Sequence, residues 1–245
     1  MSTVTIDILL VVFVATFIRS AFGFGEALIA VPLLALFLPL KVAAPLAVLV
    51  SITIAGVVVA QDWRKIHMRS TGWLVASTLL GTPVGVLLLS SSHQRAVSTA
   101  LAIFIIAFSI YSLVGKKPPE LKEDNRAWLL GCGFFAGVLG GAYGMNGPPL
   151  VIYGAMRRWS AQHFRATLQG YFLPASIAGM FGYWLTGLWV PAVTHDYLIC
   201  LPVLLPGIWL GRLVNHRLRG DTFLKYVYCG LAATGAMLLM QSARR

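Results

Sequence analysis

Long apolar runs alternate with short polar stretches from one end of the chain to the other. Each run is about long enough to cross, or half cross, a hydrocarbon core that needs roughly 20 helical residues. The pattern predicts ten helical pieces, at about 5–19, 26–40, 42–60, 72–90, 96–115, 127–142, 147–157, 167–186, 194–211 and 222–240. Four of these are too short to span comfortably, and they form two pairs, 5–19 with 26–40 and 127–142 with 147–157, each interrupted at glycine. The interruptions read Ala21-Phe22-Gly23-Phe24-Gly25-Glu26-Ala27-Leu28-Ile29 and Ala142-Tyr143-Gly144-Met145-Asn146-Gly147-Pro148-Pro149-Leu150, and they align without gaps. Leu80-Gly81-Thr82-Pro83-Val84-Gly85 likewise resembles Pro206-Gly207-Ile208-Trp209-Leu210-Gly211, with small residues four apart in both. The expected architecture is all-α and polytopic: two repeats, about 5–115 and 127–240, joined by a polar linker over 116–126. Each repeat is a broken-helix hairpin followed by three transmembrane helices, and the whole chain is one membrane domain.

Composition agrees with the pattern. Of 245 residues, 58% are hydrophobic and only 11% charged, and the mean hydropathy is +0.80, outside the range of a soluble domain. A formal net charge of +11 raises the possibility of nucleic acid. The basic residues form no stripe on an amphipathic surface, however, but sit in short loops between apolar runs, so no nucleic-acid partner is expected. Cys132, Cys200 and Cys229 lie far apart in apolar runs with no metal-ligand spacing, and read as small apolar packers. No cofactor is expected. The N-terminus has no basic leader and carries Asp7, so its first run reads as a retained membrane segment.

The basic residues also give orientation. Arg64, Lys65 and Arg69 lie in loop 61–71, and Lys116, Lys117, Lys122 and Arg126 in the linker. Arg157, Arg158 and Arg165 lie in loop 157–166, and Arg212, Arg217 and Arg219 in loop 212–221. All four segments should face the cytoplasm, and loops 91–95 and 187–193 should face outward. If each hairpin enters and leaves on the same side, these assignments are met together with both termini outside and the two repeats inverted. Charge does not tell a re-entrant hairpin from two tilted spans. Trp63, Trp73, Trp128, Trp159 and Trp189 fall near segment ends, where an interfacial belt places them.

Irregular backbone at membrane depth is tolerated only against protein or a water-filled cavity, so two breaks at matching positions point to a buried polar site between the repeats. Each break also opens a half-helix N-terminus whose N–H groups and dipole suit an anion. The candidate substrate-binding residues are Arg19, Gly23, Gly25 and Glu26 at the first break, and Gly144, Asn146, Gly147 and Thr167 at or after the second. Asn146 can cap the following half-helix, Gly147 allows close approach, and Pro148 and Pro149 begin a helix where a missing N–H costs least. Arg165 reads as an anchor at the cytoplasmic end of its span. Arg19 and Glu26, the charges that flank the first glycine break, fall opposite Gly140 and Gly147 of the second repeat. One reading is a salt bridge that closes the hairpin; the other is that a substrate anion competes for Arg19 while Glu26 takes up a proton, which makes protons the coupling ion.

These residues carry a family resemblance. The run from Phe22 to Leu34 resembles the first signature of the sulfite exporter TauE/SafE family. Gly140 to Tyr153, followed by Phe164-Arg165-Ala166-Thr167-Leu168-Gln169, resembles the second, and Gln61-Asp62-Trp63-Arg64-Lys65-Ile66 resembles the basic loop after the third helix. Where many members continue the first break with glycine, this chain has Glu26 and Ala27. The resemblance covers nearly the whole chain and implies outward transport of sulfite, sulfonates or related small organic anions across a bacterial inner membrane. An anion channel or a carboxylate transporter of the same fold is the alternative. An enzyme is not expected, because His67, His93, His163, His195 and His216 all fall in or beside loops with no second His four residues on.

Overall fold

The computed structural model describes residues 3–89, 94–114, 120–121, 125–143, 146–185, 187–218 and 220–244. Among the described residues every regular element is helical: α1 Thr3–Phe22, α2 Glu26–Leu34, α3 Leu40–Asp62, α4 Met68–Leu89, α5 Gln94–Leu113, α6 Arg126–Tyr143, α7 Gly147–Met156, α8 Ala161–Leu185, α9 Pro191–Arg217 and α10 Gly220–Arg244, with a single 3-10 turn at Trp63–Lys65. Among the described residues three segments, Val4–Phe22, Lys41–Lys65 and Pro191–Arg217, are long and apolar enough to cross a membrane.

Several helices overrun the apolar runs that predict them, whereas α2 stops at Leu34, short of its expected end at 40. α1 has 20 residues, a length of about 30 Å at 1.5 Å per residue, whereas α2 and α7, of 9 and 10 residues, and the apolar stretch Arg126–Gly140 of α6 are short. The expectation of four short pieces is corrected to three. α8 starts at Ala161 and α9 runs on to Arg217, which puts Arg165 and Arg212 inside helices, near their ends, and not in loops. A hydropathy reading ends a helix where polar side chains begin. The backbone continues through them, because arginine is a good helix former and each added turn satisfies its own hydrogen bonds.

The chain divides into two compact units, and each takes helices from both halves of the sequence. Unit 1 comprises Met1–His67 and Ala161–Leu218, and holds α1, α2, α3, α8 and α9. Its core joins Ile8, Val12 and Ala15 of α1, Leu34 of α2, Leu46, Val50 and Ile54 of α3, and Cys200, Leu204 and Ile208 of α9. Unit 2 comprises Met68–Ser160 and Arg219–Arg245, with α4, α5, α6, α7 and α10. Within it α4 packs along α6 and α5 along α10. The described part of the linker is tied to the end of α7: Leu121 N–H donates to Met156 O at 3.0 Å, and Arg157 Nη1 to Leu121 O at 2.5 Å.

One helix crossing occurs in both units. In unit 1, α9 meets α1 at Gly207, where an added Cβ would lie 3.0 Å from Thr16 Cγ2 and 3.4 Å from Phe13 O. In unit 2, α4 meets α6 at Gly81, where an added Cβ would run into Phe134 O, and Gly137 abuts Thr78 O and Gly81 Cα. The alignment that sets Glu26 opposite Gly147 also sets Phe13 opposite Phe134 and Thr16 opposite Gly137, so residues that the alignment matches make contacts of the same kind. Glycines let backbones approach this closely, and packing of that kind holds helices together in lipid. Thr78 Oγ1 adds a hydrogen bond to Gly133 O across the same interface at 2.9 Å.

Exposed Trp63, Trp73, Trp128 and Trp189 sit near helix ends, whereas Trp159 is buried edge-on to Tyr153. Cys132 and Cys200 are buried packers; Cys229 is exposed.

Candidate functional site

The first break is a turn of two left-handed glycines. Gly23 N–H closes the last turn of α1 on Arg19 O at 2.7 Å, after which Gly23 at φ 88° and Gly25 at φ 97° reverse the chain into α2. That region costs an L-residue about 1–2 kcal/mol and costs glycine almost nothing. Gly23 also lies against α8, where an added Cβ would be 3.1 Å from Arg165 Cα. The N-terminus of α2 starts directly at Gly25, with Glu26 as its first residue.

Arg19 fills the turn and is 2% exposed. Its Nη1 lies 2.5 Å from Glu26 Oε1 and donates to Ser51 Oγ of α3 at 2.6 Å, and its Nε donates to Gln169 Oε1 of α8 at 2.9 Å. Gln169 is oriented from its other end, since its Nε2 donates to Gly23 O at 3.0 Å. Ser51 and Ser176 hydroxyls are 2.9 Å apart, and the guanidinium carbon stands 5.0 Å from the centre of the Phe172 ring, within cation–π range. Arg19 Nη2 alone among these nitrogens has no partner. The site is a buried cation, neutralised by one carboxylate, with one donor nitrogen unused.

The second break differs in chemistry. Asn146 precedes α7 but makes no side-chain cap bond, contrary to the capping role expected of it. A capping oxygen needs the N–H of the second or third helical residue, and here those residues are Pro148 and Pro149, which have none. Asn146 instead lies over Gly140, whose added Cβ would be 3.3 Å from Asn146 Cβ. α7 therefore presents fewer free N–H groups than α2, whose first turn Glu26-Ala27-Leu28-Ile29 retains all of them.

Of the residues singled out in the sequence, Arg19, Gly23, Gly25, Glu26 and Thr167 belong to unit 1, and Asn146 and Gly147 to unit 2. Gly144 lies outside the described residues. Thr167 is buried, and its hydroxyl accepts the His67 backbone N–H at 3.1 Å; Gln169, one step along α8, is the residue that reaches Arg19. Arg165 pairs with Asp62, Nη1 to Oδ2 at 2.8 Å, and both are buried. Sequence reading missed Ser51, Gln169 and Asp62. Only Asp62 carried a signal, as the single acid in a basic loop. The rings of His67 and His163 stand 5.2 Å apart, a pairing invisible at their sequence spacing. Among the described residues no group of three or more His, Cys, Asp or Glu is placed to hold a metal ion.

A family model described as "Sulfite exporter TauE/SafE" matches residues 8–238. No curated protein and no solved structure matches the chain.

Proposed function

Because the chain belongs to the sulfite exporter TauE/SafE family, we propose that it is a secondary transporter that exports sulfite, a sulfonate or a related small anion across a bacterial inner membrane, with Arg19 taking the anion. The observation that carries this reading is the unpartnered Nη2 of a buried Arg19 at the N-terminus of α2. An arriving anion gains a charge-assisted hydrogen bond from Nη2 and the favourable end of the α2 dipole. It also adds negative charge beside Glu26, which favours the neutral carboxyl. Glu26 then takes up a proton as the anion settles, so proton and anion movement are linked. Two inverted repeats, with the basic loops cytoplasmic and both termini periplasmic, supply the alternating access. The equivalent crossings at Gly81 and Gly207 support the duplication on which that scheme depends.

The test is sulfite flux in proteoliposomes across a range of pH. Wild-type flux is expected to saturate and to show counterflow; flux linear in sulfite would identify a channel. Glu26→Gln should fold, because Arg19 keeps Ser51, Gln169 and Phe172 around it, and its transport should lose pH dependence. The double variant Arg19→Gln with Glu26→Gln should fold and be inactive. An active, pH-responsive double variant would end the coupling proposal.

A further inference from the structure

Three of the basic segments converge in unit 1 on one carboxylate. Asp62, the last residue of α3, sets Oδ2 2.8 Å from Arg165 Nη1, and Oδ1 3.1 Å from Lys65 Nζ and 3.3 Å from Arg212 Nη2. Three cations thus share one anion, where Arg19 and Glu26 balance one to one. The surplus is partly buried: the Arg165 side chain is 1% exposed and that of Asp62 4%, while Lys65 and Arg212 are 31% and 32% exposed and open the cluster to solvent on one side. Excess positive charge out of water is expensive unless it is met. Three donors in it are unmet, namely Nε and Nη2 of Arg165 and Nε of Arg212. Each guanidinium gives Asp62 only one nitrogen, although its planar fork is made for two-point contact with an oxyanion. Arg165 is also one helical turn from Gln169 on the same face of α8, and Gln169 holds Arg19.

We infer that Arg165, Arg212 and Lys65 form a second anion site, one turn of α8 from Arg19, which takes a small soluble oxyanion such as sulfite and which Asp62 fills as a tethered stand-in when no substrate is there. The inference rests on the transport reading above and extends it. The oxyanion displaces Asp62, neutralises the surplus charge, and is held at the end of α8 that the basic loops assign to the cytoplasm, beside the route to Arg19.

Sodium sulfite titrated calorimetrically into the purified full-length protein in detergent, at fixed ionic strength, tests this. In the background of Arg19→Gln with Glu26→Gln, which removes the first site, sulfite should still bind. Adding Arg212→Gln should weaken that binding about tenfold or more, the effect of losing one charge-assisted contact, and adding Asp62→Asn should tighten it about tenfold by removing the competitor. Arg212→Gln leaves the Arg165–Asp62 pair in place, so it carries the test even where Asp62→Asn fails to fold. If sulfite binds wild type but not the double variant, this inference fails and the Arg19 reading stands; if the double variant's binding ignores both additions, this inference fails as well. If sulfite binds no protein, wild type included, the transport reading fails and this one with it. The same titration in nanodiscs separates the source of the anion. An Arg212-dependent step that survives in phosphatidylcholine but vanishes in phosphatidylglycerol would assign the site to lipid headgroups and overturn its assignment to a soluble oxyanion.

Discussion

Gly23 does two jobs at one position. Its positive φ turns the chain, and its bare Cα lets α8 approach until Arg165 Cα stands 3.1 Å from where a Cβ would be. Gly23→Ala should therefore lower stability by about 2 kcal/mol, the left-handed penalty plus the displaced backbone, read as a lower unfolding midpoint in detergent. A midpoint equal to wild type would show that the turn relaxes freely. Residues of this kind are partly legible in sequence: a glycine pair inside an apolar run announces a break, and Arg19 and Glu26 announce a pair because isolated charge is costly there. Ser51 and Gln169 are not legible. They are ordinary small and polar residues on remote helices, and nothing local separates a serine that accepts from Arg19 from Ser77 and Ser109, which bond back to their own helices.

At the scale of elements, the crossings of α1 with α9 and of α4 with α6 depend on positions where any side chain is too large. Gly81→Ala would drive a methyl into Phe134 O and should destabilise by about 2 kcal/mol through overpacking. Gly131, on α6 of the same pair, has nothing within 4 Å of an added Cβ; Gly131→Ala should be neutral or gain a few tenths of a kcal/mol or more from helix propensity. Thermal unfolding of the two variants side by side checks the contrast, and equal losses would mean that propensity or insertion, and not the crossing, sets stability. The elements themselves were legible because apolar run length governs membrane helices. Their ends were not: α8 begins six residues before the predicted start at 167, because a helix does not stop where its side chains turn polar.

For the whole molecule, the charge distribution predicts one topology. Reporter fusions at Ala192 and at the C-terminus should read as periplasmic, and fusions at Lys117 or Arg217 as cytoplasmic. A cytoplasmic C-terminus would remove the inversion and the transport scheme built on it.

The sequence by itself determined that the chain is helical and apolar and where the breaks before α2 and α7 fall. These follow from composition and spacing along the chain, which lipid and helix geometry read locally; the class of substrate follows from family membership alone. Only the tertiary structure decided which helices share a unit, sending α8 and α9 to pack with α1, α2 and α3. It also decided that three residues counted as loop charges, Lys65, Arg165 and Arg212, gather around Asp62, and that Gln169 and not Thr167 holds Arg19. The physical reason is distance along the chain. Asp62 and Arg165 stand 103 residues apart and Arg19 and Gln169 150 apart, and contacts at such separations depend on how whole helices pack, which no local pattern encodes.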